Sequence, residues 1–151
     1  MSDDRLSAEQ RIVTSLFAFA RAVGAEIRRA GAAVQLTVPQ FSTLRQLDDG
    51  DRSVGDLARI LHVAMPTVTQ SVDSLAGKSL VERYSDERDR RQVRLRITPK
   101  GRVLLQQCRR DVEAYVADIL SSWPVERRQD LAGTLEEITG LVVGTRLAKE
   151  N

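Results

Sequence analysis

The chain has 151 residues, of which 42% are hydrophobic, 4% aromatic and 29% charged, with a net charge of +2. This length supports one compact unit with a real core, and so few aromatics make that core one of Leu, Val, Ile and Ala, which suits helix packing. The polar start Met1-Ser2-Asp3-Asp4 has no signal-peptide core, no apolar run reaches the ~18 residues of a membrane span, and the single cysteine excludes an internal disulfide framework, so a cytoplasmic protein with no membrane partner is expected.

No repeat, low-complexity tract or long linker divides residues 1–151, which are read as a single domain. Ser7 and Gln10 have the spacing of a capping box. Ile12, Leu16, Ala20, Val23 and Ile27 then recur at helical spacing, so a first helix runs to about residue 30 and closes at Gly31. Thr37-Val38-Pro39-Gln40 repeats the capping logic and opens a second helix through Phe41, Leu44 and Leu47, ended by Asp49-Gly50. Ser53-Val54-Gly55-Asp56 starts a short third helix carrying Leu57, Ala58 and Leu61. His62-Val63-Ala64 is a tight turn, and Met65-Pro66-Thr67 begins a fourth helix with Val68, Val72 and Leu75 on its apolar face.

The period then changes. Val81, Arg83 and Tyr84 form a short strand, residues 85–89 a polar turn, and Val93, Leu95 and Ile97 alternate with Gln92, Arg94 and Arg96 as a half-buried second strand. Thr98-Pro99 starts another helix through Leu104, Leu105, Cys108, Val112 and Tyr115. Pro124 interrupts it and opens the last, lined by Leu131, Leu135, Ile138, Leu141 and Val142. The expected fold is mainly α with a small β-hairpin wing. A winged helix-turn-helix core occupies 32–98, with the helix-turn-helix at about 53–77 and the wing at about 81–98. Helices at 6–31 and 99–148 flank it, and their long apolar faces predict a homodimer formed through the termini.

Between residues 83 and 102 stand eight basic and three acidic residues, net +5, which leaves −3 for the rest of the chain. Seven of the eight are Arg, whose planar fork suits phosphate and the narrow minor groove. Concentrated on one hairpin, this charge is the footprint of a polyanion-binding edge; a merely solvated hairpin is the plainer alternative. In a helix-turn-helix the second helix enters the major groove. Pro66, Thr67, Thr69, Gln70, Ser71 and Asp73 are its candidate contact residues, with Ser74 also polar. Thr and Ser suit phosphate or base, Gln pairs with adenine, and Asp73 accepts from cytosine or orients an Arg.

The runs Val54-Gly55-Asp56-Leu57-Ala58, Pro66-Thr67-Val68-Thr69-Gln70 and Leu80-Val81-Glu82-Arg83 resemble the MarR family of transcription regulators. So do Asp86-Glu87-Arg88-Asp89-Arg90-Arg91 and Leu95-Arg96-Ile97-Thr98-Pro99-Lys100-Gly101. The resemblance implies a homodimer whose two winged domains read adjacent half-sites of a pseudo-palindromic operator in double-stranded DNA, more often as a repressor than an activator. It implies that Asp89 orients Arg91 into the minor groove, with Arg90 beside them at phosphate and Arg83 and Arg88 in the same basic edge. It also implies a small, often phenolic effector between the dimer helices and the winged domain, for which Phe17, Phe41, Arg45 and Tyr115 are candidates. Gln70 stands where many members carry Arg, and Ser79 where many carry Gly, leaving Gly77 as the available helix end.

Other readings stay open. Cys108 serves a redox-responsive regulator if it is exposed beside Arg109 and Arg110, and a packing role if it is not. A protein–protein interaction module is a rival use of the same fold. One His and one Cys make no ordinary metal site, and no phosphate loop or catalytic motif is present, so no cofactor, no metal and no enzyme are expected.

Overall fold

The computed structural model describes residues 7–85 and 92–147, with side chains as far as 142. Its elements are α1 (Ala8–Ala30), a 3-10 turn (Ala32–Val34), α2 (Val38–Asp48), α3 (Val54–Leu61), α4 (Met65–Gly77), β1 (Val81–Ser85), β2 (Val93–Ile97), α5 (Pro99–Ile119) and α6 (Val125–Leu147). It is mainly helical with one antiparallel hairpin, as the periodicity requires.

Three helices start on reciprocal local bonds. Ser7, Thr37 and Ser53 accept from the amide three residues on, while Gln10, Gln40 and Asp56 reach back to the cap amide. The Ser53 hydroxyl and amide both bond Asp56, and these bonds hold its carboxyl below the usual carboxylate range. His62, at φ 54°, ends α3 in the left-handed region and turns the chain into α4.

The core gathers Leu44 and Leu47 of α2, Leu57 of α3, Val68, Val72 and Leu75 of α4, Leu80, Leu95 and Leu105, all buried. The hairpin register pairs Val81 with Ile97, Glu82 with Arg96, Arg83 with Leu95 and Tyr84 with Arg94. Alternation therefore puts Val81, Arg83, Leu95 and Ile97 on the core face, and Glu82, Tyr84, Arg94 and Arg96 on the other. Arg52, in the α2–α3 loop, exchanges backbone hydrogen bonds of 3.1 and 2.8 Å with Leu95, which moors the hairpin at its base.

The exit from α4 keeps the expected helix end and turns two residues later. Gly77 is its last residue, but the left-handed position belongs to Ser79, at φ 60°. The Ser79 amide donates to the Ala76 carbonyl (2.8 Å) and the Leu80 amide to the Leu75 carbonyl (2.9 Å), a Schellman closure. Lys78 stays right-handed, and the chain turns only where Leu80 must return beside Leu75, both fully buried. At the start of α5 a Cβ on Gly101 would lie 2.2 Å from the Leu80 carbonyl oxygen. Glycine there lets the first turn of α5 sit against the backbone at Leu80, where the chain enters β1, while the Thr98 hydroxyl caps the Gly101 amide and donates to the Ser79 carbonyl.

The chain divides into two compact units, Met1–Glu113 and Ala114–Asn151, the boundary falling within α5. In the first, Ile12, Val13, Leu16, Phe17 and Phe19 of α1 are all exposed, Phe17 at 74%, and only Gly24 and Ile27 are buried in that helix. In the second, Arg128 donates to the Ser121 and Trp123 carbonyls, Arg127 stacks 3.7 Å over the Trp123 ring, and Leu135, Ile138, Leu141 and Val142 of α6 are exposed. No helix among the described residues is long and apolar enough to cross a membrane.

Candidate nucleic-acid interface

Helix α4 docks by Val68, Val72 and Leu75, whose exposures are 1%, 0% and 0%. Pro66, Thr69, Gln70 and Asp73, at i, i+3, i+4 and i+7, therefore form its outward stripe, and all four are exposed. The Thr69 hydroxyl donates to the Met65 carbonyl (3.0 Å), which leaves its oxygen lone pairs and methyl group outward. Thr67 is also exposed, at the rim. Ser71 turns toward α2, 3.5 Å from the Thr43 hydroxyl, and Ser74 accepts from the Gln40 amide (2.9 Å). The polar residues of α4 thus divide into an outward set and a set that fixes the helix to α2.

Among the described residues, the basic side chains of the hairpin and of α5's first turn take partners within the chain. Arg83 pairs with Asp73 of α4 at 2.7 Å. Arg94 donates to the Asp51 carbonyl (3.1 Å) and stands 3.9 Å from Asp56. Arg96 bonds Glu82 across the strands (2.5 Å) and lies 4.6 Å over the Tyr84 ring. Tyr84 in turn donates to Asp51 (2.5 Å), a bond that holds its phenol pKa above the ordinary value. Lys100 donates to the Lys78 carbonyl, and Arg102 pairs with Asp48 at 3.0 Å. A charge count could not show this: part of the +5 is matched by carboxylates on α2, α3 and α4. These long-range pairs were invisible in the sequence, since Asp51 and Tyr84 are 33 positions apart and nothing local links them. The wing-tip candidates Arg88, Asp89, Arg90 and Arg91 lie outside the described residues.

The four candidate effector residues differ in burial. Phe41 belongs to the core, Phe17 and Arg45 are exposed on α1 and α2, and Tyr115 is half-buried in the second unit. A cleft of about 260 Å³ lies between α2, the α3–α4 turn and α4, lined by Val38, Ser42, Leu61, Val63, Thr67 and Ser71 among others. Cys108 is wholly buried, and that burial pushes its thiol pKa up, the opposite of what a sensing thiolate needs. Among the described residues no cluster of His, Cys, Asp and Glu is able to hold a metal ion.

Comparison with known proteins agrees with this geometry. The family description "MarR family" matches residues 36–93, which run from the start of α2 to the start of β2. An uncharacterized HTH-type transcriptional regulator of Bacillus subtilis, YsmB, is 32% identical over 111 residues, covering 70% of this chain and 76% of its own. The crystal structure of the transcriptional regulator BldR from Sulfolobus solfataricus superposes with a TM-score of 0.72 at 29% identity, covering 91% of this chain and 99% of that one. The crystal structure of MarR shares the fold at 18% identity, with a TM-score of 0.83 and 97% of both chains covered.

Proposed function

The chain belongs to the MarR family of transcriptional regulators, DNA-binding proteins rather than enzymes, and from that premise we propose that it represses transcription as a homodimer on a pseudo-palindromic operator. The observation that carries this reading is the outward stripe Pro66, Thr69, Gln70 and Asp73 on a helix whose other face is buried, beside a hairpin moored to the same core. In this reading α4 enters the major groove, Thr69 and Gln70 meet base edges, and Thr67 flanks them. The wing residues Arg88, Asp89, Arg90 and Arg91 reach the adjacent minor groove and its phosphates. Homodimerisation is supported by the uncovered apolar faces of α1 and α6, and a dimer presents two copies of α4 to successive half-sites.

A small phenolic effector completes the proposal. It acts by binding the DNA-free state more tightly, which shifts the population away from the operator complex. The cleft beside Thr67 and Ser71 is of a size for one aromatic ring, and an occupant there would press on α4 itself.

The test is selection of bound duplexes from a random pool, followed by gel-shift titration at fixed salt. A two-fold-related motif is expected, and Arg91→Ala should weaken binding to it at least about tenfold, the value of one lost charge-assisted contact, without altering the melting temperature. Selection that returns no motif, or unchanged affinity for Arg91→Ala, would overturn the operator or the wing role respectively.

A further inference from the structure

We propose that Asp73 is a positioning residue that holds Arg83 over the phosphate strand between the two grooves, and so couples the recognition helix to the wing. The inference rests on the DNA-binding reading above and goes beyond it by assigning a joint role to one acidic and one basic side chain.

Asp73 stands on the outward stripe of α4, two turns after Pro66 and next to Gln70. A lone carboxylate on a face that meets DNA repels phosphate, so its place there calls for a partner. Arg83 supplies one at 2.7 Å. The pairing follows from the strand register. Arg83 lies opposite Leu95, on the hairpin face that looks toward α4, while Arg94 and Arg96 lie on the other face and pair with Asp56 and Glu82. Arg83 is thus the cation that bridges from hairpin to recognition helix among the described ion pairs.

The pair is not a folding device. Its side chains are 57% and 41% exposed, and ion pairs so open to water contribute little to stability. Its geometry is better suited to orientation. A protein that puts a helix in the major groove and the neighbouring hairpin in the minor groove must straddle one sugar–phosphate strand, and Arg83 sits where the two elements meet. One carboxylate oxygen takes one edge of the guanidinium, and the fork has five donors, enough to address a phosphate with the rest. Held this way, the cation engages phosphate only when helix and wing are both seated, which converts a sequence-blind contact into one that rewards the correct register.

The test is a double-mutant cycle read by fluorescence anisotropy, with the duplex selected by the wild-type chain and a random-sequence duplex as probes, each at two salt concentrations. Asp73→Asn should weaken binding to the selected duplex by about ten- to a hundredfold and leave the random duplex within about threefold. In the Arg83→Gln background the same change should have no further effect, and Asp73→Glu should restore part of the loss. All variants should melt with the wild type. The proposal is overturned if Asp73→Asn tightens both duplexes alike, in either background, because Asp73 is then only a repulsive charge. A wild-type chain that binds neither duplex overturns the interface reading itself, and the coupling with it.

Discussion

Helices α1 and α4 are both amphipathic, and both stripes are plain in the sequence, yet the molecule treats them in opposite ways. In α4 the stripe Val68, Val72 and Leu75 is sealed under α2, α3 and the hairpin. In α1 the first four turns leave Ile12, Val13, Leu16, Phe17 and Phe19 uncovered, and only the last turns touch the core. A covered stripe fixes a helix so that its polar face becomes an instrument. An uncovered stripe of this size is where the proposed dimer forms, since exposed Leu, Ile and Phe side by side are unfavourable in water. In the proposed function α4 therefore belongs to recognition and α1 to assembly.

Three variants bear on that contrast. Leu75→Ala empties a fully buried site in the sealed stripe and should cost about 2–5 kcal/mol, read from the urea midpoint. An unchanged midpoint would mean that α4 is not held by its apolar face. Replacing Leu16 and Phe17 together by Asp should leave helix content near the wild-type value but remove about 3–4 kcal/mol of association, taking roughly 1.5–2 kcal/mol per apolar side chain. Sedimentation equilibrium should then shift from twice the chain mass toward the single chain, and operator affinity should fall with it. If the variant stays dimeric, the uncovered face of α1 is not the interface. The smallest effect is expected at the seam between α4 and the hairpin. Ser79→Gly relieves a left-handed residue and should stabilise the fold by up to about 1 kcal/mol without changing the salt dependence of DNA binding. A destabilised Ser79→Gly chain would mean that the serine side chain, not the backbone turn, is what matters there.

Much of the fold was legible because its signals are local. The capping pairs Ser7–Gln10, Thr37–Gln40 and Ser53–Asp56 are three residues apart, and the alternation of Val93, Leu95 and Ile97 needs no distant partner to be read. The outward stripe of α4 followed from the same logic, since its inward positions were fixed by Val68, Val72 and Leu75. Ser71 reads as a contact residue in the sequence, while its hydroxyl stands 3.5 Å from that of Thr43, a neighbour 28 positions away. Gly77 reads as the end of α4 and is its last residue. The left-handed residue that brings Leu80 back onto Leu75 is Ser79, two positions on.

The same division runs through the charges. By itself the sequence determined the helix order, the hairpin and the net +5 between residues 83 and 102, because composition and short-range spacing are properties of the chain. Only the tertiary structure decided what those charges face: Arg83 against Asp73, Arg94 against Asp51 and Asp56, Arg96 against Glu82, Arg102 against Asp48. A carboxylate within 4 Å changes what an arginine is able to do, and which carboxylate arrives there is set by packing between elements distant in sequence.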